Sequence, residues 1–268
     1  MQKINLLLLG FAVSISVSAQ KNTSVSVGIG SMYYMGDMQQ KLTDLRPAIS
    51  AQYKWNFYKG LGLRIGLAVS QYGADDSKSS AYADRKLQFT SDLGEANLQL
   101  IYDILPDKQG RSGSGWGSDV KFSPYVFVGA GGCTFNPKAP VAGKIQYLQP
   151  LGTEGQFIMR GNDNPKSYSL VQPIFLGGIG AHFRFSHNWG AGFDAGYRYT
   201  LTDYLDDVSG KYPDKVNLLA FSGRDAVALS DPTGAKEVGS LRGNPKNKDA
   251  YIMATFSLNY YFARKACP

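Results

Sequence analysis

Acyl hydrolysis by a serine needs a histidine to take its proton and an acidic group to orient that histidine. His182 and His187 are the only histidines among the 268 residues, so few arrangements are open. Ser186 and His187 are adjacent in an expected turn, where neighbouring side chains diverge, and the pair reads as a polar turn. His182 alternates with Gly180 and Arg184 and reads as an interior-facing strand residue. Cys133 and Cys267 have no metal-ligand spacing with either histidine and fall at opposite ends of the expected topology, so two free thiols are expected. Asp203, Asp206 and Asp207 have the charge to draw a calcium ion. They lack the alternating oxygen ligands and the glycine of an EF-hand loop, and read as a solvated loop. No catalytic, cofactor-binding or metal residue is assigned, and the expectation is a protein that is not an enzyme.

The elements that carry these residues are expected to be strands. The chain has 31 Gly, 17 Tyr, 14 Phe and 3 Trp, with only 18% charged residues and a mean hydropathy of -0.22. That bias disfavours helices and fits a pleated wall. Met1, Gln2 and Lys3 precede an apolar run from Ile4 to Val17, and Val17, Ser18 and Ala19 form a small-residue cleavage pattern. Residues 1–19 are therefore expected to be a signal peptide and residues 20–268 the mature domain. No cysteine stands at the position directly after the cleavage site that a lipoprotein needs, which disfavours a lipid anchor there. The charge of +7 is dispersed rather than clustered, so nucleic acid is not an expected partner. Beyond residue 20 no stretch approaches the roughly 18 apolar residues of a membrane-crossing helix. A soluble all-β domain or a barrel in the outer membrane remains.

The alternation decides for the barrel. Ile252, Ala254, Phe256, Leu258, Tyr260 and Phe262 alternate with Met253, Thr255, Ser257, Asn259 and Tyr261. Soluble strands rarely sustain this beyond about 6 residues, whereas a tilted membrane strand needs about 9–11. Ile49, Ala51, Tyr53, Trp55 and Phe57 repeat the pattern, then a turn at Lys59 and Gly60, then Leu61, Leu63, Ile65, Leu67 and Val69. Ala96, Leu98, Leu100, Tyr102 and Ile104 form another such face, and so do Trp189, Ala191, Phe193, Ala195, Tyr197, Tyr199 and Leu201. These sets are expected to face lipid and their partners the lumen. Segments 25–34, 124–135 and 174–185 complete a count of eight, the second with ambiguous parity because of Gly129, Gly131 and Gly132.

Short connections at 58–60 and 186–188 fall on one side and long ones on the other, which places the long loops outside the cell. The Gly- and Ser-rich segment 106–121 breaks that rule and is expected to be a periplasmic partner contact. Segments 216–222 and 225–230 leave open a hairpin in the last long loop, or a ten-stranded barrel. An eight-stranded antiparallel barrel has its interior filled by side chains. Lys54, Arg64, Glu95, Asp103, Arg184, Asp194 and Arg198 are expected to fill it as a salt-bridge plug. Gly62, Gly66, Gly190, Gly192 and Gly196 fall on the same inward parity, where space is short.

The loops carry a resemblance. Residues 122–131 (Phe122, Ser123, Pro124, Tyr125 onward), Phe135 to Ala139, Leu148 to Gln156 and Tyr197 to Gly210 with Tyr212 and Pro213 resemble the PorG-like family of outer-membrane barrels of Bacteroidota. Tyr33, Tyr34, Met35, Gly36 and Asp37, and Arg46 to Ile49, are similar to its opening segments. The resemblance implies an OmpA-like eight-stranded barrel and a role in the type IX secretion system, beside the PorK/PorN ring and the PorL/PorM motor. It implies no catalytic residue and no cofactor. A plugged barrel is no polypeptide conduit, so partners are expected at the rims, through 106–121 on one side or 148–156 and 202–210 on the other. An OmpX-like surface adhesion or defence barrel is the alternative.

Overall fold

The computed structural model describes residues 23–38, 40, 44–78, 83–105, 121–158 and 165–262. Among the described residues there are nine strands: β1 (Thr23–Met35), β2 (Arg46–Tyr58), β3 (Leu61–Asp75), β4 (Gln88–Asp103), β5 (Lys121–Val141), β6 (Lys144–Tyr147), β7 (Val171–Arg184), β8 (Trp189–Thr200) and β9 (Ala250–Tyr261). All neighbours are antiparallel, in the order β4, β3, β2, β1, β9, β8, β7, β5, and the pairing of β4 with β5 closes the ring. Eight strands therefore make the barrel. β6 is a short hairpin return on the outer end of β5.

The register fixes the barrel's dimensions. A row starting at Val25 runs through Tyr53, Ile65, Leu98, Ala130, Phe175, Tyr199 and Ala250 and returns to β1 at Met35, ten residues on. Eight strands with that stagger tilt by about 40° and enclose a backbone cylinder of about 8 Å radius. Side chains pointing into so narrow a cylinder must meet.

Alternation holds around the whole wall. Val27, Ile29, Ile49, Ile65, Leu67, Val69, Leu98, Val128, Ile179, Phe256 and Leu258 are exposed on the outside, while Ser26, Ser50, Arg64, Asn97, Gln99, Asp194, Ser257 and Asn259 are buried inside. At the short-turn end Trp55, Phe57, Tyr102, Phe122, Phe183, Trp189, Tyr260 and Phe262 form an outward aromatic belt. Several of these rings touch, with Trp189 and Tyr260 at 5.1 Å and Phe122 and Phe183 at 5.1 Å between centroids. The parity of β5 is also settled, with Tyr125, Phe127, Cys133 and Phe135 inward and Val126 and Val128 outward.

Crowding inside explains an inward glycine. A methyl group on Gly178 would lie 2.6 Å from Gly196 Cα and 2.6 Å from Phe127 Cζ, besides striking the Ala195 carbonyl. At the adjacent Gly177 the nearest atom would be the Phe127 carbonyl at 3.6 Å. Gly178→Ala is expected to lower the fraction that refolds into the heat-modifiable form, by overpacking worth about 1–3 kcal/mol. Gly177→Ala should refold like the parent, and equal refolding of both variants would contradict this packing.

The last long loop is not a hairpin and adds no strand. Residues Lys215–Ser230 form a helix, α1, opened by the Asp214 side chain accepting from Val216 N at 2.9 Å. A break at Gly223, φ 84°, divides it. Leu218 before the break, and Ala226 and Leu229 three residues apart after it, are its buried apolar residues, whereas the apolar run 218–221 has no period of two. The strand expected to end at residue 135 continues for six more residues, 136–141, so this wall rises above the membrane as a hairpin.

Candidate functional site

Polar side chains cross-link the lower lumen. Lys54 Nζ lies 2.9 Å from both carboxylate oxygens of Asp103. Arg64 reaches Asp194 at 2.9 Å and Gln99 through Nε at 2.8 Å, and the Tyr125 hydroxyl donates to Asp194 at 2.6 Å. Gln99 donates to Asn97 at 2.6 Å, Asn97 to Glu95 at 2.5 Å, and Arg198 lies 3.4 Å from the same Glu95 carboxylate. The Tyr251 hydroxyl donates to Glu95 at 2.6 Å. The space left among Gln52, Arg64, Glu95, Asn97, Asp194 and Arg198 is about 10 Å³, room for about one water. The plug read from the sequence is present, with one correction. Arg184 sits at the short-turn mouth, over the Tyr261 ring at 4.4 Å and donating to the His187 carbonyl, because its strand ends there.

Above the charges the interior turns apolar and aromatic. Tyr34, Tyr72 and Phe89 meet pairwise at 5.5–5.6 Å, and Phe135, Tyr168 and Tyr204 stack in series. A cap of loops closes over them. Arg242 is buried and donates to Glu154 at 3.2 Å and to the Asp207 carbonyl, with the Asp207 carboxylate 3.7 Å away. Glu154 also accepts from Ser209 N at 2.9 Å and Gly210 N at 3.0 Å. Asp207 accepts from the Tyr168 hydroxyl at 2.7 Å and from Thr153. Arg85 grips Asp76 with two nitrogens and donates to the carbonyls of Arg242 and Asp37, binding three loops at once. Asp206 accepts from Val208 N and Met38 N, and Asp249 from Leu205 N.

The acidic trio is therefore not a solvated loop. Asp203, Asp206 and Asp207 are all buried, and each of the latter two is committed to holding backbone or an arginine. Among the described residues no group of three acids, histidines or cysteines has the spacing to hold a metal ion. The loops expected as docking rims are also largely interior. Residues 152–155 and 205–209 are buried and bind each other, so the loop segments carrying the family resemblance interlock rather than face outward. Sequence reading missed Arg242 and Arg85, since a lone arginine in a polar loop carries no pattern.

Burial governs the protonation of this cap. It pushes Asp203 up to about 7, with the nearby Asp37 adding to the rise, and lifts Asp207 to about 6 against the pull of Arg242. Asp206 is raised by burial and by Asp37, and Asp249 by burial and by Asp206. An unfolded carboxyl titrates near 3.9, so these groups favour the folded cap while neutral. Their contribution is complete below about pH 4 and is lost as pH rises through the folded values of about 6 and 7. Hydrogen exchange in segment 201–209 is accordingly expected to be better protected, after correction for intrinsic rate, at about pH 5 than at about pH 8. Greater protection at the higher pH would contradict this balance.

The other sequence candidates are placed as follows. His182 faces the lumen, stacked on Tyr125 at 4.4 Å, with Lys54 Nζ at 3.4 Å. Ser186 and His187 are exposed in the β7–β8 turn. Cys133 is a buried free thiol. Cys267, segment 106–120 and the first 22 residues lie outside the described residues.

A closed barrel, apolar outside and polar and filled inside, satisfies every backbone group within its own wall, as a membrane-spanning sheet must. With short turns at 59–60 and 185–188 on one end and long loops at the other, it is a transmembrane β-barrel of the outer membrane. Residues 2–268 match the family described as "Domain of unknown function (DUF6089)", and the chain belongs to it. By sequence, no curated protein matches the chain. Among solved structures it is similar to OprG of Pseudomonas aeruginosa, with 11% identity, 91% of this chain and 96% of that chain covered, and a TM-score of 0.44. It is also similar to Ail of Yersinia pestis in complex with the heparin analogue sucrose octasulfate, at 13% identity, 90% and 99% coverage and TM-score 0.40. Neisserial surface protein A gives 11%, 91% and 100%, and 0.40. The architecture itself rests on the closed register described above.

Proposed function

We propose that this barrel is a non-enzymatic anchor in the outer membrane, a PorG-like scaffold component of a type IX protein secretion apparatus, exported by a signal peptide over residues 1–19. The observation that supports a scaffold over a conduit is the cross-linked lumen, where the gap among Arg64, Glu95, Asp194 and Arg198 is about 10 Å³, far too small for a polypeptide. Partners then have to be met at the rims. The loop resemblance points to PorK/PorN-like ring proteins on the periplasmic side, with segment 106–121 as the contact. Crosslinking in cells followed by purification under conditions that keep the barrel folded tests this. A PorK-like lipoprotein should co-purify, and deletion of 106–120 should remove it while leaving the barrel heat-modifiable. Absence of any such lipoprotein from the crosslinked material would overturn the secretion role.

A second reading, an OmpX-like surface adhesion or defence barrel, is favoured by one observation. The helix on the external cap leaves Val216, Leu219 and Phe221 exposed. Replacing these three by Ser would then impair attachment of cells to a surface, and leave secretion unchanged.

A further inference from the structure

The outer wall carries a furrow unlike the rest of the lipid-facing band. One cross-strand row runs Ile49, Val69, Gly94, Thr134 and Val171, and the next runs Ala51, Leu67, Ala96, Gly132 and Pro173. Large residues form the shoulders, with Val69 58% and Val171 62% exposed, and the small ones form the floor along β4 and β5. The concavity of the first row, lined by Ile49, Val69, Gly94, Thr134 and Val171 with Gln71 and Asp92 at its upper end, is about 710 Å³, within the range of small-molecule sites, about 300–1,000 Å³; the small residues Ala96 and Gly132 of the second row continue it downward.

Crowding does not dictate the two floor glycines. A methyl group on Gly132 would meet nothing nearer than the Gln172 carbonyl at 3.7 Å, and one on Gly94 only the Thr134 hydroxyl at 3.0 Å. The inward Gly129 and Gly131, by contrast, leave no room against the Leu98 and Ala96 carbonyls. The upper end of the furrow is closed by a polar chain, where Gln71 donates to Asp92 at 2.7 Å and Lys138 Nζ lies 2.6 Å from the other Asp92 oxygen. Lys138 is partly exposed and keeps donors beyond the one given to Asp92.

We propose that this furrow is a binding site for one lipid of the outer leaflet, its acyl chain along Gly94, Ala96 and Gly132 and its phosphate-bearing head against Lys138. Two features argue for that occupant. The furrow is continuous with the lipid-facing band, so its apolar floor opens onto acyl chains, and Lys138 lies at the external edge, where a lipid head lies.

The test uses the full-length protein in phosphatidylcholine vesicles, with chain-spin-labelled phosphatidic acid or the matching spin-labelled diacylglycerol as probe. The expected result is a motionally restricted component several-fold larger for phosphatidic acid than for diacylglycerol. Lys138→Gln should bring the two probes level. Gly94→Leu with Gly132→Leu, or Thr134→Leu where the double variant does not fold, should reduce restriction of both to that of the plain band. Equal restriction of the two probes by the parent protein, or undiminished restriction by a folded furrow-filling variant, would overturn the site.

Discussion

Replacing Arg242 by Met is expected to open the external cap while leaving the barrel intact. The Arg242 guanidinium and the carboxylates of Glu154 and Asp207 are each at most 2% exposed, so its loss strands two buried carboxylates without their shared cation. Breaking a buried pair by removing one partner costs about 3–5 kcal/mol. Arg242 also donates to the Asp207 and Ser230 carbonyls, so the segment before α1 and the end of α1 lose anchors together. None of these contacts belongs to the barrel ladder. The open fraction of segment 201–249 should rise by about two to four orders of magnitude, read as hydrogen exchange or protease cleavage within it. Gel mobility of the unboiled barrel should not change. Cleavage of the variant at the parental rate would show that the cap is held by something other than this network.

Arg64→Leu is the second large effect, and it falls on the barrel itself. Arg64 lies in the lumen with Asp194 at 2.9 Å and with Gln99 and Tyr125 as further partners, and its guanidinium lies 4.8 Å from the Phe127 ring centre. Leucine at this position leaves Asp194 with the Tyr125 hydroxyl and no cation. A loss of about 3–5 kcal/mol is expected, seen as a lower urea midpoint for unfolding from lipid vesicles. Arg64→Leu combined with Asp194→Leu should regain most of that loss, since an apolar replacement of a whole buried pair is often neutral. A double variant as unstable as the single one would mean that lumen packing, rather than the uncompensated charge, sets the cost.

Much of the wall is legible from alternation alone, because a barrel strand has two environments and one parity. In β2, β3, β4, β8 and β9 large apolar residues recur at most outward positions and announce the lipid face, while polar residues and most of the glycines take the other parity. In β5 three glycines within four residues erase that contrast. Gly129 and Gly131 face the crowded lumen and Gly132 faces out, a difference set by the neighbouring β4 backbone rather than by residue type.

The cap was hidden for a different reason. Thr202 to Ser209 is polar in composition, as a solvated loop would be, yet most of it is buried. Its backbone is satisfied by side chains far away in sequence, such as Glu154 for Ser209 and Asp249 for Leu205. Polar burial of this kind depends on long-range partners and leaves no period to read. The helix α1 was obscured because Val216, Leu218 and Ala220 mimic a strand unless the adjoining Leu219 and Phe221 are given equal weight. Arg184 had the right parity for the plug, but its position at the last residue of β7 puts it at the mouth.

The central claim is that the lumen is sealed by its own side chains and that the protein acts through its rims. Electrical recording across a planar bilayer containing the folded barrel tests it most directly. No steady conductance is expected from the parent protein, and none from Arg242→Met, since the Lys54–Asp103, Arg64–Asp194 and Arg198–Glu95 pairs close the lumen below the cap. A persistent ohmic current through the parent barrel would contradict the account.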